Sequence, residues 1–463
     1  MEGVEGHDHG AKAQGMKRVS AIFVLLPIAL LLAAIPPVLR AWTGREGGRT
    51  PAGFEASYRY RFQRASRGSV ARALEAEIAF YQERIARDPE GGLDLAALAR
   101  AYLKMARATG DLSWYLLAEQ AARRSLANLP FDNDGATLVL ARVAEARHDF
   151  TEAIRLAELA SGREDGLSIK VTSHLAAGRV DDAGRAAQML VARSPTLGSY
   201  MLRALVNQAR GHDDEAIQDF RRALAAEEAG EAGGSAAART YLGRLHFKRG
   251  RLALAGEFYR EALRILPQFP LALVNLAELE IRTGQYEAAE RHYTQVVTIS
   301  QASPNVFDHV VLRGLARVKE LQEDASGAKV LWDEAERRLR RDVTAGTFGH
   351  RRELARLLLE RGRTGDAAEA LTLMQAEVRV RRDAETLDIL AWALSRSDRW
   401  HEAQQAMREA LRWSIRDAGM FYRAGAIEEA LGNHPRARRF FRAAMETDPT
   451  FDERARRMSG LSF

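Results

Sequence analysis

The sequence predicts an all-α fold: a right-handed solenoid of stacked helical hairpins with one N-terminal transmembrane helix. Three observations lead there. Helix-favouring Ala, Leu, Arg and Glu dominate a chain of 463 residues that holds only 12 prolines. A spacing of small and aromatic residues recurs every ~34 residues over most of the chain. A single long apolar run stands near the amino terminus. The length itself favours an array, because a single core stops growing near ~250–300 residues, whereas stacked units pack only on their neighbours.

The first 18 residues form a polar head. Its GHDHG stretch sets His7 and His9 two residues apart. Two imidazoles could share a metal ion, but a site needs three or four fixed ligands and no others stand nearby, so neither a metal nor any other cofactor is expected. Val19 to Leu39 reads VSAIFVLLPIALLLAAIPPVL, with no charge along it. At ~1.5 Å per residue this segment just crosses a bilayer core of ~30 Å. Lys17 and Arg18 precede it and Arg40 follows, while Pro36 and Pro37 mark its exit. No small-x-small cleavage site follows Leu32, which favours an uncleaved anchor in the cytoplasmic membrane over a signal peptide. Two rules disagree on orientation. Arg40, Arg45, Arg49 and the arginines from Arg59 onward favour a cytoplasmic carboxyl side, whereas a basic pair abutting a first apolar segment reads as an export signal. The expectation adopted is an extracytoplasmic, periplasmic array.

Residues 40–68, rich in Gly and Arg, read as a flexible tether. Residues 69–89 carry Leu74, Ile78, Tyr81 and Ile85 at helical spacing and read as a capping helix, because the end of an array must cover its neighbour's exposed face. Residues 90–450 hold roughly ten units, and 451–463 form a short tail. The clearest unit is AARTYLGRLHFKRGRLALAGEFYREALRILP. Leu242 and Gly243 lie in its first helix, Gly250 ends that helix, Ala255, Tyr259 and Ala262 share one face of the second, and Pro267 closes it. Leu276, Ala277, Gly284, Ala289 and Tyr293 repeat the pattern, as do Gly425, Gly432, Ala437, Phe441, Ala444 and Pro449. Weaker copies surround Ala204 and Phe220, Ala316 and Trp332, Ala355 and Leu371, Ala391 and Met407. Upstream units centre on Ala99 and Ala118, Ala141 and Ala153, Gly178 and Ala187.

This phase resembles the tetratricopeptide repeat, in which a small residue of the first helix faces Ala, an aromatic and Ala of the second. Small residues let two antiparallel helices approach, and the aromatic fills the gap against the next unit. The resemblance implies that first helices line a concave groove accepting a protein or peptide partner. Carried onto this chain, it places Tyr241, Arg244 and Lys248 in the groove beside Asn275, Glu278 and Arg282, with Arg317, Arg356 and Trp392 continuing it. Arginines with Tyr and Trp suit an acidic or carboxylate-ended segment. The basic pair that would clamp a peptide carboxyl terminus in this family is not reproduced; only the Asn, at Asn275, is.

Several chemistries are excluded on composition. Without cysteine the chain has no disulfide, thiolate nucleophile or zinc finger. The 68 basic and 62 acidic residues interleave as solvated helix faces, without the basic stripe that nucleic-acid binding requires. His401 opens HEAQQ, but Gln405 stands where a zinc-protease helix needs its second histidine. Phosphate loops and a nucleophile elbow are absent from the sequence. The expected function is therefore a membrane-tethered scaffold that joins proteins, and not an enzyme. Assembly of an envelope complex or secretion system is the leading setting, and a cytoplasm-facing recruiter of regulators or proteases the alternative. A groove enzyme is the minor alternative.

Overall fold

The computed structural model describes residues 59–66, 68–160, 164–299, 306–345 and 350–461. The polar head with His7 and His9, the expected anchor at 19–39 and most of the expected tether lie outside the described residues. No helix among the described residues is long and apolar enough to cross a membrane.

The described chain is built from helices joined as hairpins. Helix α1 (Ser69–Arg87) precedes α2 (Gly92–Thr109) with α3 (Ser113–Asn128), α4 (Asp134–Ala146) with α5 (Phe150–Leu159), and α6 (Glu164–Ala176) with α7 (Val180–Arg193). Next come α8 (Leu197–Ala209) with α9 (Asp213–Ala225), α10 (Ala232–Phe247) with α11 (Leu252–Ile265), and α12 (Pro270–Arg282) with α13 (Tyr286–Ile299). The second half holds α14 (Asp308–Leu321) with α15 (Ala325–Ala345), α16 (Arg351–Arg361) with α17 (Asp366–Glu377), and α18 (Ala384–Ser395) with α19 (Trp400–Ala410). Helices α20 (Ala418–Ala430) and α21 (His434–Thr447) follow, and α22 (Glu453–Met458) comes after them. Starts are set locally: the side chains of Asn133, Asp149, Asp383 and Asp417 accept the first free amides of their helices, and Pro270 opens α12.

The two helices of a hairpin have different patterns because they occupy different layers. First helices are sandwiched between neighbouring hairpins, and α10 and α12 are buried almost all round. Second helices lie outside and bury one stripe; α11 buries Ala255, Phe258, Tyr259, Ala262 and Ile265 and exposes Ala253, Glu257, Arg260 and Arg264. The small-against-aromatic pairing is physical contact. A Cβ on Gly243 would lie 2.7 Å from the Tyr259 ring, and one on Gly425 would lie 2.6 Å from Phe441. Tyr293 reaches across to Gly314 of the following hairpin, so the aromatic joins units as well as helices.

The solenoid coils back on itself. The turn inside a hairpin meets the connection leading into the hairpin six units later. Val306 N–H donates to the Gly110 carbonyl at 3.0 Å, and Arg382 N–H to that of Ala176 at 3.2 Å. Gly211 lies against the Ser414 carbonyl, and Gly250 against the Asp448 carboxylate. Each pair is about 200 residues apart, which is six units of ~34. Left-handed glycines make this stacking possible. Gly178 at φ +72° and Gly211 at φ +74° sit where a Cβ would overlap the Arg382 and Ser414 carbonyl oxygens. Ion pairs reinforce the seam, among them Arg416 with Asp213 at 3.2 Å. Arg412 Nη2 adds a hydrogen bond to the Gly178 carbonyl at 2.8 Å.

Two stretches depart from the sequence expectation. Residues 59–66, assigned to a flexible tether, dock on the array, because Tyr60 and Phe62 give the segment apolar surface to bury. The tail from 451 contributes α22 and buries Phe451, Ala455 and Leu461, closing one end of the inner space.

Candidate functional site

First helices, set a repeat apart, point the same helical face inward, and stacking of the second turn encloses that face. The result is a lumen of about 500 Å3. Tyr241 and Arg244 of α10 and Lys248 at its C-cap line it, spaced three and four apart so that they share a face. Glu278 and Arg282 come from α12, Arg313 and Arg317 from α14, Arg352, Arg356 and Glu360 from α16, and Asp388 and Trp392 from α18.

Charges are organised as a ladder in which a cation on one inner helix meets a carboxylate a repeat away. Arg244 pairs with Glu278, and Arg423 with Asp388 at 2.8 Å. Arg356 bridges Glu360 of its own helix at 2.9 Å and Glu385 at 3.3 Å. Glu360 is the hub: Arg313 approaches it at 2.8 Å and Arg317 at 3.7 Å. Burial alone would raise the Glu360 carboxyl, but the Arg313, Arg356 and Arg317 guanidiniums outweigh it and hold the group at about 2. At Asp388 the balance is reversed, and burial pushes its carboxyl above the usual range despite Arg423.

Other lining cations reach across the seam. Lys248 Nζ lies 3.0 Å from Asp417, outweighing the effect of burial and holding that carboxyl well below its ordinary range. Arg282 meets Asp448 at 2.8 Å and donates to the Thr450 carbonyl at 2.6 Å. Several donors in the lining make no hydrogen bond among the described residues, and two of them, Arg317 Nη2 and Arg352 Nη1, still lie within 4 Å of a carboxylate. The Tyr241 hydroxyl is buried and makes no hydrogen bond, nor does Arg423 Nη1, whose guanidinium lies 4.4 Å above the Trp392 ring. Burial pushes the Tyr241 phenol up, so it stays a protonated donor at neutral pH.

Eight of the nine residues singled out from sequence line this lumen: Tyr241, Arg244, Lys248, Glu278, Arg282, Arg317, Arg356 and Trp392. Asn275 does not. It is one helical step of ~100° from the lining Val274, is buried between helices, and spends its Nδ2 on the Leu271 carbonyl at 2.8 Å. Trp392 is 3% exposed, wedged between Arg423 and Gly460, so its ring seals the lumen instead of facing solvent. Sequence reasoning missed Glu360, Glu385 and Asp388. A partial signal was available, since Asp388 and Arg423 stand 35 residues apart, about one repeat, and Glu360 lies one helical turn from Arg356. Among the described residues no three His, Asp or Glu side chains group to hold a metal ion.

Stacked hairpins whose inner helices enclose a lumen define a helical-repeat protein of the solenoid class. Tetratricopeptide-repeat family models match residues 246–308 and, in a second form, 203–270 and 390–450. These stretches of the chain carry tetratricopeptide repeats. No curated protein matches the chain in sequence. Among solved structures it is similar to PilW, described as a widely conserved type IV pilus biogenesis factor, at 17% identity over 44% of this chain and 93% of that one, TM-score 0.37. The Cut9–Hcn1 hetero-tetramer of APC/C aligns at 12% identity over 85% and 93%, TM-score 0.36. A human IFIT1 dimer with PPP-AAAA aligns at 15% over 82% and 87%, TM-score 0.44. At such scores the likeness carries no functional information.

Proposed function

We propose that this chain is a scaffold for protein–protein contacts, held at a membrane by residues 19–39 and offering its lumen to an extended segment of a partner. The observation that carries the reading is convergence: eight residues predicted for a groove line one cavity, where the Tyr241 hydroxyl and Arg423 Nη1 lack acceptors. Unsatisfied buried donors favour a ligand rich in acceptors, which suits an acidic or carboxylate-ended segment. The setting proposed is extracytoplasmic, in assembly of an envelope complex or secretion system. A photo-crosslinking residue placed at Arg356 should give a discrete protein adduct in cells, and one at the exposed Arg408 should not. Equal labelling from both positions would refute the lumen as the binding surface.

The excess of arginines after the apolar run supports a second reading, an array facing the cytoplasm that recruits soluble regulators or proteases. Reporters fused after Phe463, one active only outside the cytoplasm and one only inside, separate the two.

A further inference from the structure

The outer layer of the array contains a second site, away from the lumen, and the chain fills it with its own residues. Tyr60, itself outside any regular element, is 7% exposed. Its backbone N–H donates to Glu261 Oε1 of α11 at 3.0 Å. Its ring lies beneath the Arg239 guanidinium of α10, 5.8 Å from centroid to Cζ. Arg239 is fully buried and held by Glu227 at 2.8 Å and by the Ser235 carbonyl at 3.2 Å. Arg61 Nη2 donates to the Ala225 carbonyl at 3.1 Å, at the carboxyl end of α9, where a cation also complements the helix dipole. Phe62 stands edge-on to Tyr60 at 5.5 Å and packs against the same core.

Three consecutive residues are thus read in four different ways: a backbone amide by a carboxylate, a ring by a guanidinium, a guanidinium by helix-end carbonyl oxygen, and a second ring by apolar side chains. A fully buried Arg–Glu pair is costly to desolvate, and here it forms the floor of an aromatic slot. We propose that the slot formed by the end of α9, Arg239 of α10 and Glu261 of α11 is a recognition site for a short extended peptide of aromatic–arginine–aromatic sequence. Its occupant in this chain is Tyr60–Phe62, recognised in the manner of a bound peptide and not merely packed as a loop. Docking there makes the upstream chain leave the array beside α9–α11 instead of at the α1 end. The proposal does not depend on the lumen or on the membrane anchor.

The test uses the full chain with Tyr60→Ser and Phe62→Ser, which vacate the slot, and a fluorescent peptide of residues 59–66 as probe. The vacated chain should bind the peptide saturably, and the wild type at least tenfold more weakly, because its own segment competes at high effective concentration. Adding Glu261→Gln to the vacated chain should weaken binding about tenfold or more. A scrambled peptide of equal charge that binds as well, or a vacated chain that binds no better than wild type, overturns the proposal. Should the vacated chain lose its helical circular dichroism, amide exchange in the wild type decides. Protection of the Tyr60 amide that falls at least tenfold in Glu261→Gln, with α1 unchanged, sustains the site; an unprotected Tyr60 amide refutes it.

Discussion

Replacing Gly211 by alanine should open the stacked turns without disturbing the hairpin that contains it. Two costs are expected. Holding a residue with a Cβ at φ +74° costs ~1 kcal/mol. The Cβ would also overlap the Ser414 carbonyl oxygen, a backbone atom six units away that has no rotamer to yield. Overpacking of that kind costs ~1–3 kcal/mol. Gly432→Ala isolates the second term, since Gly432 has φ +76° but nothing within 4 Å of an added Cβ. Both variants bear the left-handed strain, and only Gly211→Ala should bear the clash. A repeat array does not unfold in one step, so the readout should be local. Amide exchange over residues 411–417 should rise about 5- to 150-fold in Gly211→Ala, the range corresponding to ~1–3 kcal/mol, and stay at the wild-type rate in Gly432→Ala. Equal behaviour of the two variants would show that the turns do not bear on one another in solution.

Other outcomes follow from the lumen and seam. Glu360→Gln removes the carboxylate shared by Arg313, Arg356 and Arg317, and uncompensated buried charge should destabilise the α14–α16 region by ~3–5 kcal/mol, measured by amide exchange in those helices. Asp448→Asn, which leaves the buried Arg282 without its charge partner, should loosen α22 and raise the radius of gyration in small-angle scattering; an unchanged profile would argue against closure by this pair. Burial, with Arg251, Arg221 and Arg249 nearby, lowers the His246 imidazole to about 4. The unfolded histidine takes up its proton near pH 6.5 and the folded one only near 4. Stability is therefore complete above pH 6.5 and falls as pH drops toward 4, by at most ~3 kcal/mol. In His246→Phe, the urea midpoint should depend less on pH across that window, and an unaltered slope would refute the assignment.

Local chemistry made the hairpins legible. Gly243, Ala255 and Tyr259 announce a close helix pair because helix packing depends on residues three, four and about a dozen positions apart. The inward face was legible only through the resemblance to the tetratricopeptide repeat, which implies a groove position for Arg244, Lys248, Arg282 and Arg356. Asn275 shows the limit of that reasoning, since one residue of phase separates a lining position from a buried one. Closure of the lumen was not legible. Gly211 reads as an ordinary helix-ending glycine, and nothing near it in sequence points to Ser414. Tyr60 was similarly obscured, because two rings inside an Arg-rich stretch have no periodicity until Arg239 and Glu261 are brought to them.

The six-unit stacking changes what kind of polymer this array is. An open solenoid has contacts only between neighbours, so it can gain or lose a unit at little cost and can nucleate anywhere. Here Gly110 meets Val306 and Gly250 meets Asp448, so the fold includes pairings as non-local as those of slow-folding β proteins. Individual hairpins should form early and the annular contacts last, in one step that waits for about six units to be synthesised. Insertion of a single repeat between α11 and α14 would put each later connection one unit out of register with the turn that receives it. Unit number in this protein is thus fixed by geometry, and natural variation in length should be confined to the ends of the coil.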